Sequence, residues 1–112
     1  MNEILFDIVD VFGSCVILTK QRWEEHILVS HPEMVGLHEA VRDTIAEPDC
    51  VYTSETTEQT KLFYKLGVVA WKFRNLFLKA VVSYDREPAI LRTSFFTRQL
   101  RGERLLWIKP KP

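Results

Sequence analysis

The sequence predicts an α+β domain in which an N-terminal hairpin and two helices pack on one face of a C-terminal antiparallel sheet of four to five strands. Apolar residues recur every three or four positions between residues 20 and 46, and they alternate with polar ones from Cys50 onward. A chain of 112 residues with 46% hydrophobic side chains is also long enough to bury one core. We therefore expect a single domain over residues 1–112.

The N-terminal segment predicts a hairpin followed by a helix. ILFDIVDVFGSCVILT alternates around a Gly-Ser turn and is rich in β-branched and aromatic residues, which suits two short strands. KQRWEEHILVS has helical spacing, and Thr19 before it can cap its first turn. Pro32 should end this helix, because the residue before a proline is pushed out of the α region. His31 is therefore expected at the helix exit.

A second helix and a run of strands complete the prediction. The second helix should extend from about Glu33 to Ala46, with Pro48 as its stop. The turn-like separators between the later strands are too short for crossover helices, so we expect hairpins between them. The strand candidates are CVYTS, KLFYKLGVVAWKF, LFLKAVVSY, AILRTSFFT and RLLWI.

The net charge of zero conceals an asymmetry along the chain. Residues 1–58 hold three basic and twelve acidic residues, for a charge of −9, whereas residues 59–112 hold twelve basic and three acidic residues, for +9. Such a division lets one surface present cations to phosphates, so overall neutrality does not exclude a nucleic-acid partner. The alternative is that the two halves simply attract each other on folding.

Other features of the sequence predict the cellular location of the protein and the cofactors that it needs. The N-terminus is acidic and lacks a basic leader, and no apolar run approaches the roughly 20 residues of a membrane span. These features predict a cytoplasmic protein with no membrane partner. In that compartment Cys15 and Cys50 should be unpaired, buried thiols. Neither belongs to a CxxC pair, so we expect no metal site and no cofactor.

Basic and aromatic residues interleave on the predicted strands. Lys61, Phe63 and Lys65 share one side of their strand, since residues two apart point the same way. A face that combines cations with aromatic rings is typical of single-stranded RNA binding, with bases stacked on a ring such as Phe63. The alternative is that the lysine stems only cover apolar surface. The other cations assigned to this surface are Lys79, Arg92 and Arg98.

The order of several short motifs carries a resemblance. LTKQRWEEHILVSHPEM, TIAEPD, LFYK and ILRTSFFTRQLRGERLLW together resemble the phage-associated members of the barnase, EndoU, colicin and RelE-like (BECR) nuclease superfamily, over about residues 18–107. The resemblance implies helices before an antiparallel sheet and metal-independent RNA cleavage, as in a toxin of a toxin–antitoxin pair or a phage-derived effector. The matching positions are His26-Ile27, His31-Pro32, Pro48-Asp49, Lys61 or Lys65, and Thr93-Ser94.

The implied chemistry gives these residues roles. Attack of a ribose 2′-hydroxyl on the neighbouring phosphate needs a base and an acid, and imidazoles such as those of His26 and His31 suit both roles near neutral pH. Lys65, with Thr93 or Ser94, would supply donors to the charged phosphate oxygens. Alternation places Thr93 and Ser94 on opposite faces, and a β-bulge in LRTSFF would shift the register, so the sequence leaves that choice open.

Non-catalytic interpretations fit the same residues. His26 can pack on Trp23, His31 can cap the following helix, and His38 is best explained as a solvated side chain. A three-histidine metal site lacks supporting carboxylate spacing. The chain can also be a binding module that keeps the fold without catalysis and holds RNA or a protein, such as an antitoxin, on its basic face. The acidic helical half can likewise dock a cationic partner.

Overall fold

The structure, a computed structural model, describes residues 3–67 and 75–111. Strands in these ranges form one sheet in the order β1-β2-β6-β5-β4-β3-β7. Their bounds are β1 Ile4–Val9, β2 Cys15–Thr19, β3 Cys50–Thr53, β4 Thr60–Leu66, β5 Phe77–Ser83, β6 Ala89–Thr97 and β7 Leu105–Ile108. None of the helices in the same ranges is long and apolar enough to cross a bilayer.

The α+β class is confirmed, but the predicted sheet is wrong. Instead of four or five antiparallel strands, the described residues form a seven-stranded mixed sheet that includes the N-terminal hairpin. β2 runs parallel to β6, with Val16 opposite Ala89 and Ile17 opposite Ile90. Val16 and Leu18 of β2 are fully buried. The hairpin therefore extends the sheet and shares its core rather than packing on it as a separate layer.

The strands from β3 to β6 form a meander. Successive strands pair antiparallel, as their short separators predicted. β7 does not continue this meander. The chain after β6 crosses the sheet, and β7 then pairs with β3 at the far edge. The part of the predicted strand KLFYKLGVVAWKF that falls on residues 68–74 lies outside the described residues.

The first helix, α1, covers residues 20–30 in three contiguous stretches. Lys20–Arg22 and Leu28–Ser30 are α-helical, and Trp23–Ile27 between them is π-helical. Thr19 caps the helix as predicted, since its Oγ1 accepts a hydrogen bond from the Arg22 backbone N–H at 3.2 Å. The helix ends where Pro32 predicts that it should, with His31 as its C-terminal cap residue.

The second predicted helix is wrong in its first half. A 3₁₀ turn occupies Pro32–Met34, and the second helix, α2, covers only His38–Ala46. Between them Gly36 has a φ of 79°, in the left-handed region that interrupts a helix. The second helix is thus shorter than the one expected from about Glu33 to Ala46.

The core lies between α1, α2 and one face of the sheet, which we call the helix face. α2 contacts β1, β4 and β5, and the π-helical stretch of α1 contacts β6. Both cysteines are free thiols, with Cys50 buried and Cys15 half-buried. The fully or nearly buried side chains of this core include Val16, Leu18, Trp23, Ile27, Met34, Val41, Ile45, Val51, Phe63, Leu78, Val82 and Leu91.

The opposite face of the sheet, the open face, is partly covered by the chain after β6. Tyr64 Oη donates a hydrogen bond to the Arg101 carbonyl at 2.8 Å and accepts one from the Arg101 N–H at 3.1 Å. Gly102 then packs directly on β3. A Cβ atom at Gly102 would lie 2.7 Å from the Thr53 carbonyl oxygen and closer still to the Tyr52 Cβ. Only glycine fits at this crossing, which leads the chain into β7.

We expect Gly102→Ala to destabilise the fold more than alanine at a glycine with open surroundings. The new methyl group would collide with β3, a form of overpacking that costs about 1–3 kcal/mol, in addition to the cost of the positive φ. Gly13→Ala is the matched control, because Gly13 also has a positive φ but a Cβ atom added there would have nothing within 4 Å. Urea unfolding measures the free energy of unfolding of both variants. An equal loss of stability in the two variants would contradict this packing.

Candidate functional site

The open face carries a small cleft at its β2 end. The cleft has a volume of about 270 Å³ and lies where α1 crosses β2 and β6. Its apolar floor comes from Ile17 and Ile90, which are paired across the two strands. Its remaining lining residues are Thr19, Gln21, Arg22 and His26. The cleft thus brings the His26 imidazole, which belongs to an exposed residue, next to a guanidinium.

Local helix geometry places Arg22 and His26 in this cleft. The Thr19 cap fixes the start of α1, so the Arg22 position is set by the end of β2. From Trp23 the helix is π-helical, and the Leu28 N–H bonds to the Trp23 carbonyl, five residues back. Such π-helical turns are rare and often occur at functional sites. Trp23 and Ile27 of this turn are buried, whereas His26 faces the cleft.

Arginines from two other segments add to the positive charge near the cleft. Burial, together with the charges of Arg92 and Arg86, lowers the pKa of Arg22 from its ordinary value. Arg92 lies at the β-bulge of β6, where Val81 pairs with Thr93 and Val82 pairs with Leu91. We call Arg22, Arg86 and Arg92 the arginine cluster. Of these three residues only Arg22 lines the cleft, and the other two lie close enough for their charges to affect it, so together they make the surroundings of the cleft attractive to an anion.

The arginine cluster has no carboxylate partner among residues 3–67 and 75–111. The ion pairs within those ranges are His31 with Glu33, at 3.5 Å, and Arg42 with Asp43, at 3.4 Å. Neither pair includes an arginine of the cluster. Asp85 lines a neighbouring cavity together with Arg92 but forms no ion pair with it. Guanidinium groups outside any ion pair are available to phosphate oxygens, which arginine can contact with two parallel hydrogen bonds.

An aromatic group lies further along β6 on the same open face. The rings of His31 and Phe95 are stacked, with centroids 4.9 Å apart and planes at 24°. Phe95 of β6 pairs with Lys79 of β5. The Lys79 Nζ lies 5.3 Å from the centroid of the Phe95 ring and 5.4 Å from the centroid of the Tyr64 ring. Burial and the charge of Arg101 lower the pKa of Lys79, and Glu55 opposes this effect.

Several predicted site residues lie on the helix face instead. Phe63 is 0% exposed and belongs to the core, so its ring offers no surface to a base. The Lys65 Nζ donates a hydrogen bond to the Glu47 carbonyl at 2.8 Å, just beyond the end of α2. Lys61 lies over the rings of Phe12 and Tyr84, 4.1 and 4.3 Å from their centroids. These lysines therefore contact structural groups away from the cleft.

The bulge in β6 separates the two hydroxyl candidates. Ser94 is 0% exposed, pairs with Ala80 of the core, and donates to the Lys79 carbonyl at 2.7 Å. Thr93 pairs with Val81, so it lies on the open face with Phe95, and it is half-buried. Arg98 is exposed just after β6. His38 contacts the Trp23 ring edge-on at 5.9 Å, outside the cleft.

Sequence reasoning identified His26, His31, Lys79 and Arg92 but did not single out Arg22 or Arg86. Arg22 lies four residues before His26 on a predicted helix, which was a usable signal of proximity. Arg86 stands in a turn, far from the motif in sequence, and no spacing connects it to α1. In the described part of the chain, no three His, Cys, Asp or Glu side chains come together as metal ligands.

No family model, curated protein or solved structure matches this chain. The BECR resemblance therefore stays a prediction.

A buried carboxylate, that of Asp10, lies next to the Tyr84 ring that Lys61 covers. Asp10 is 4% exposed, and its carboxylate accepts from the backbone N–H groups of Phe12 and Ser14, both at 2.9 Å, and from Tyr84 Oη at 2.5 Å. This carboxylate ties the β1–β2 turn to the residue after β5. Burial and the adjacent Asp10 raise the pKa of Tyr84 above its ordinary value of about 10.

We expect Tyr84→Phe to change the dependence of stability on alkaline pH. The folded protein keeps the Tyr84 proton above pH 10, where the unfolded chain loses it, so this contribution is complete below about pH 10 and is lost as pH rises further. The part of the loss that is due to Tyr84 should reach about 1.4 kcal/mol per pH unit in wild type and be absent in Tyr84→Phe, which keeps the loss due to Cys50 and Tyr64, because burial also raises the pKa values of these two groups. At neutral pH the variant should be about 1–3 kcal/mol less stable, because buried Asp10 loses a donor.

Urea unfolding between pH 7 and 11.5 measures both effects. Ser83→Ala is the control, since it removes a neighbouring hydroxyl, which donates to Asp85, without removing an ionisable group from the Asp10 site. An identical alkaline slope in wild type and Tyr84→Phe would contradict the arrangement.

Proposed function

We propose that this protein is a metal-independent endoribonuclease that cleaves RNA by 2′-hydroxyl attack at the cleft around His26. The observation that supports this most is the combination of an exposed imidazole with an arginine cluster that has no carboxylate partner among the described residues. The cations fit a phosphodiester, and the imidazole fits a proton acceptor. The motif order that resembles BECR nucleases includes the same histidine.

In the proposed mechanism the phosphate oxygens bind the arginine cluster. His26 takes the proton of the ribose 2′-hydroxyl, and the 2′-oxygen forms a bond to the adjacent phosphorus. The bond from phosphorus to the 5′-oxygen breaks, and that oxygen takes a proton from water. The arginines stabilise the negative charge that accumulates on the phosphate during this displacement. The products are a 2′,3′-cyclic phosphate and a 5′-hydroxyl.

The proposed residue set differs from the one that the sequence suggested. Arg22 and Arg86 join Arg92 as phosphate-binding residues, and Thr93 remains a candidate donor on the open face. Lys65 and Ser94 are left out, because the Lys65 ammonium donates to the Glu47 carbonyl after α2 and Ser94 is fully buried. His31 is placed in substrate binding, since its ring is stacked on Phe95.

A non-catalytic RNA-binding module is the second candidate. Among the described residues, the cleft lining contains one imidazole and neither a second imidazole nor a carboxylate, so these residues offer a single side chain suited to proton transfer. Binding needs only the cations and the rings of the open face. A protein of this kind would hold single-stranded RNA with the same salt dependence and leave it intact.

We expect wild type to cleave single-stranded RNA in the presence of EDTA, because the nucleophile is the 2′-hydroxyl. His26→Ala should slow cleavage by on the order of 10² to 10⁴, the usual contribution of a positioned acid or base. Gel analysis with end-group detection measures the rate and the cyclic phosphate. DNA of the same sequence should survive, since it lacks the nucleophile.

His38→Ala is the matched control for this experiment. His38 packs on Trp23 outside the cleft, so its removal should leave the rate within a few-fold of wild type once folding is verified by circular dichroism. Wild type that binds RNA but does not cleave it between pH 5 and 9 would favour the binding module. Equal rates in wild type and His26→Ala would reject His26 as the base.

We expect Arg92→Gln to weaken RNA binding and to reduce its dependence on salt. Loss of one phosphate contact on a single strand should lower the slope of log Kd against log salt by about 0.7. Lys61→Gln is the control, because Lys61 lies over Phe12 and Tyr84, away from the cleft, and should leave the slope unchanged. Filter binding from 50 to 300 mM salt measures the slopes of both variants. A slope altered only by Lys61→Gln would show that the RNA binds near Lys61 and not at the arginine cluster.

A further inference from the structure

We propose that His31 and Phe95, with Lys79, form a stacking subsite for one unpaired nucleobase of the RNA. This inference rests on the proposed function and extends it to the class of substrate, which is single-stranded RNA that crosses the open face from the cleft. Bases in a duplex are stacked on their neighbours and cannot present a free ring face to a protein.

The stacked pair has the geometry of a base-binding platform. The two rings are nearly parallel, and the His31 side chain remains 29% exposed. His31 leaves α1 with non-helical backbone angles, φ −135° and ψ 70°, and its ring lies against Phe95 of β6. A base can therefore add to the exposed side of the imidazole and continue the stack that begins at Phe95.

Lys79 supplies a cation at the same place. Its ammonium group lies within 5.5 Å of the ring centroids of Phe95 and Tyr64, a distance at which cations and rings attract each other. Neither ion pair among residues 3–67 and 75–111 includes Lys79. The ammonium can thus donate to a base carbonyl or to the phosphate next to the stacked nucleotide. Such a combination of a ring and a cation is typical of single-strand binding.

The β-bulge aligns this subsite with the cleft. Ile90 in the cleft and Phe95 in the stack are five residues apart on β6, so in a regular strand they would point to opposite faces. The extra residue at the bulge reverses the alternation, so Ile90 pairs with Ser83 and Phe95 pairs with Lys79, both on the open face. Because the extra residue adds no length, the separation equals the four residue steps from Lys79 to Ser83 on β5, about 14 Å, a span that a few nucleotides can cross.

The test uses uncleavable tetranucleotides with 2′-O-methyl riboses. The fluorescent base 2-aminopurine replaces one base at a time, because its emission falls when it stacks on another ring. With wild type we expect quenching at one position of the tetranucleotide. Phe95→Leu and His31→Ala should each abolish that quenching and weaken binding by roughly 5- to 150-fold, the range that base–aromatic stacking supplies.

Two controls make the outcome specific. Phe12→Leu makes the same change as Phe95→Leu at a ring that packs on Phe63 and Lys61, and it should alter neither quenching nor affinity. His26→Ala should keep the quenching, because it removes the proposed base and not the platform. His31 is partly exposed, so His31→Ala tests the subsite even if Phe95→Leu disturbs folding.

The result separates this inference from the proposed nuclease. Cleavage of unmodified RNA without quenching at any position would reject the subsite and leave the nuclease intact. Quenching that depends on His31 and Phe95 in a protein that does not cleave RNA would reject the nuclease and support the subsite. Quenching that persists in both His31→Ala and Phe95→Leu, or no binding at all by wild type, would overturn the subsite.

Discussion

The short parallel pairing between β2 and β6 determines how the other elements meet. The two strands pair only through Val16 with Ala89 and Ile17 with Ile90, and the chain then turns into α1 at Lys20. The helix therefore takes the place of β2 beside the rest of β6, with Trp23 and Ile27 in the core. A longer pairing would have covered this edge of β6 with a strand, and neither the cleft nor the ring stack would have formed.

The sheet buries aromatic residues on both of its faces, by different means. On the helix face, Phe63 is covered by the main core. On the open face, Tyr64 is just as fully buried, because the chain that returns toward β7 crosses it and bonds to its hydroxyl through Arg101. The return of the chain toward β7 thus covers the open face over Tyr64, whereas the cleft and the His31–Phe95 stack lie beside β6 and α1.

The sequence was sufficient for local elements and insufficient for their long-range partners. Thr19, Pro32 and the alternation in AILRTSFFT located α1 and β6, because capping, proline sterics and strand periodicity act over a few residues. The pairing of β2 with β6 joins segments more than 70 residues apart, and no local pattern encodes it. Alternation also predicted that Phe63 and Tyr64 lie on opposite faces of the sheet, but it did not indicate which of these faces the helices cover. His26 and Arg92 were identified from motifs, but Arg86 joins them only through the folded chain.

The π-helical turn at Trp23–Ile27 has a consequence for the evolution of such a chain. A turn closed over five residues instead of four contains one residue more than an ordinary α-helical turn. Loss of a single residue from it, such as Glu24 or Glu25, would restore a regular α-helix, because the π-helical turn takes up its extra residue locally and leaves the turns on either side in register. Loss of a residue from Leu28–Ser30 would instead rotate Trp23 by about 100° relative to His31, so that the two could no longer face the core and Phe95 together. The π-helical turn is thus the part of α1 that best tolerates a change in length.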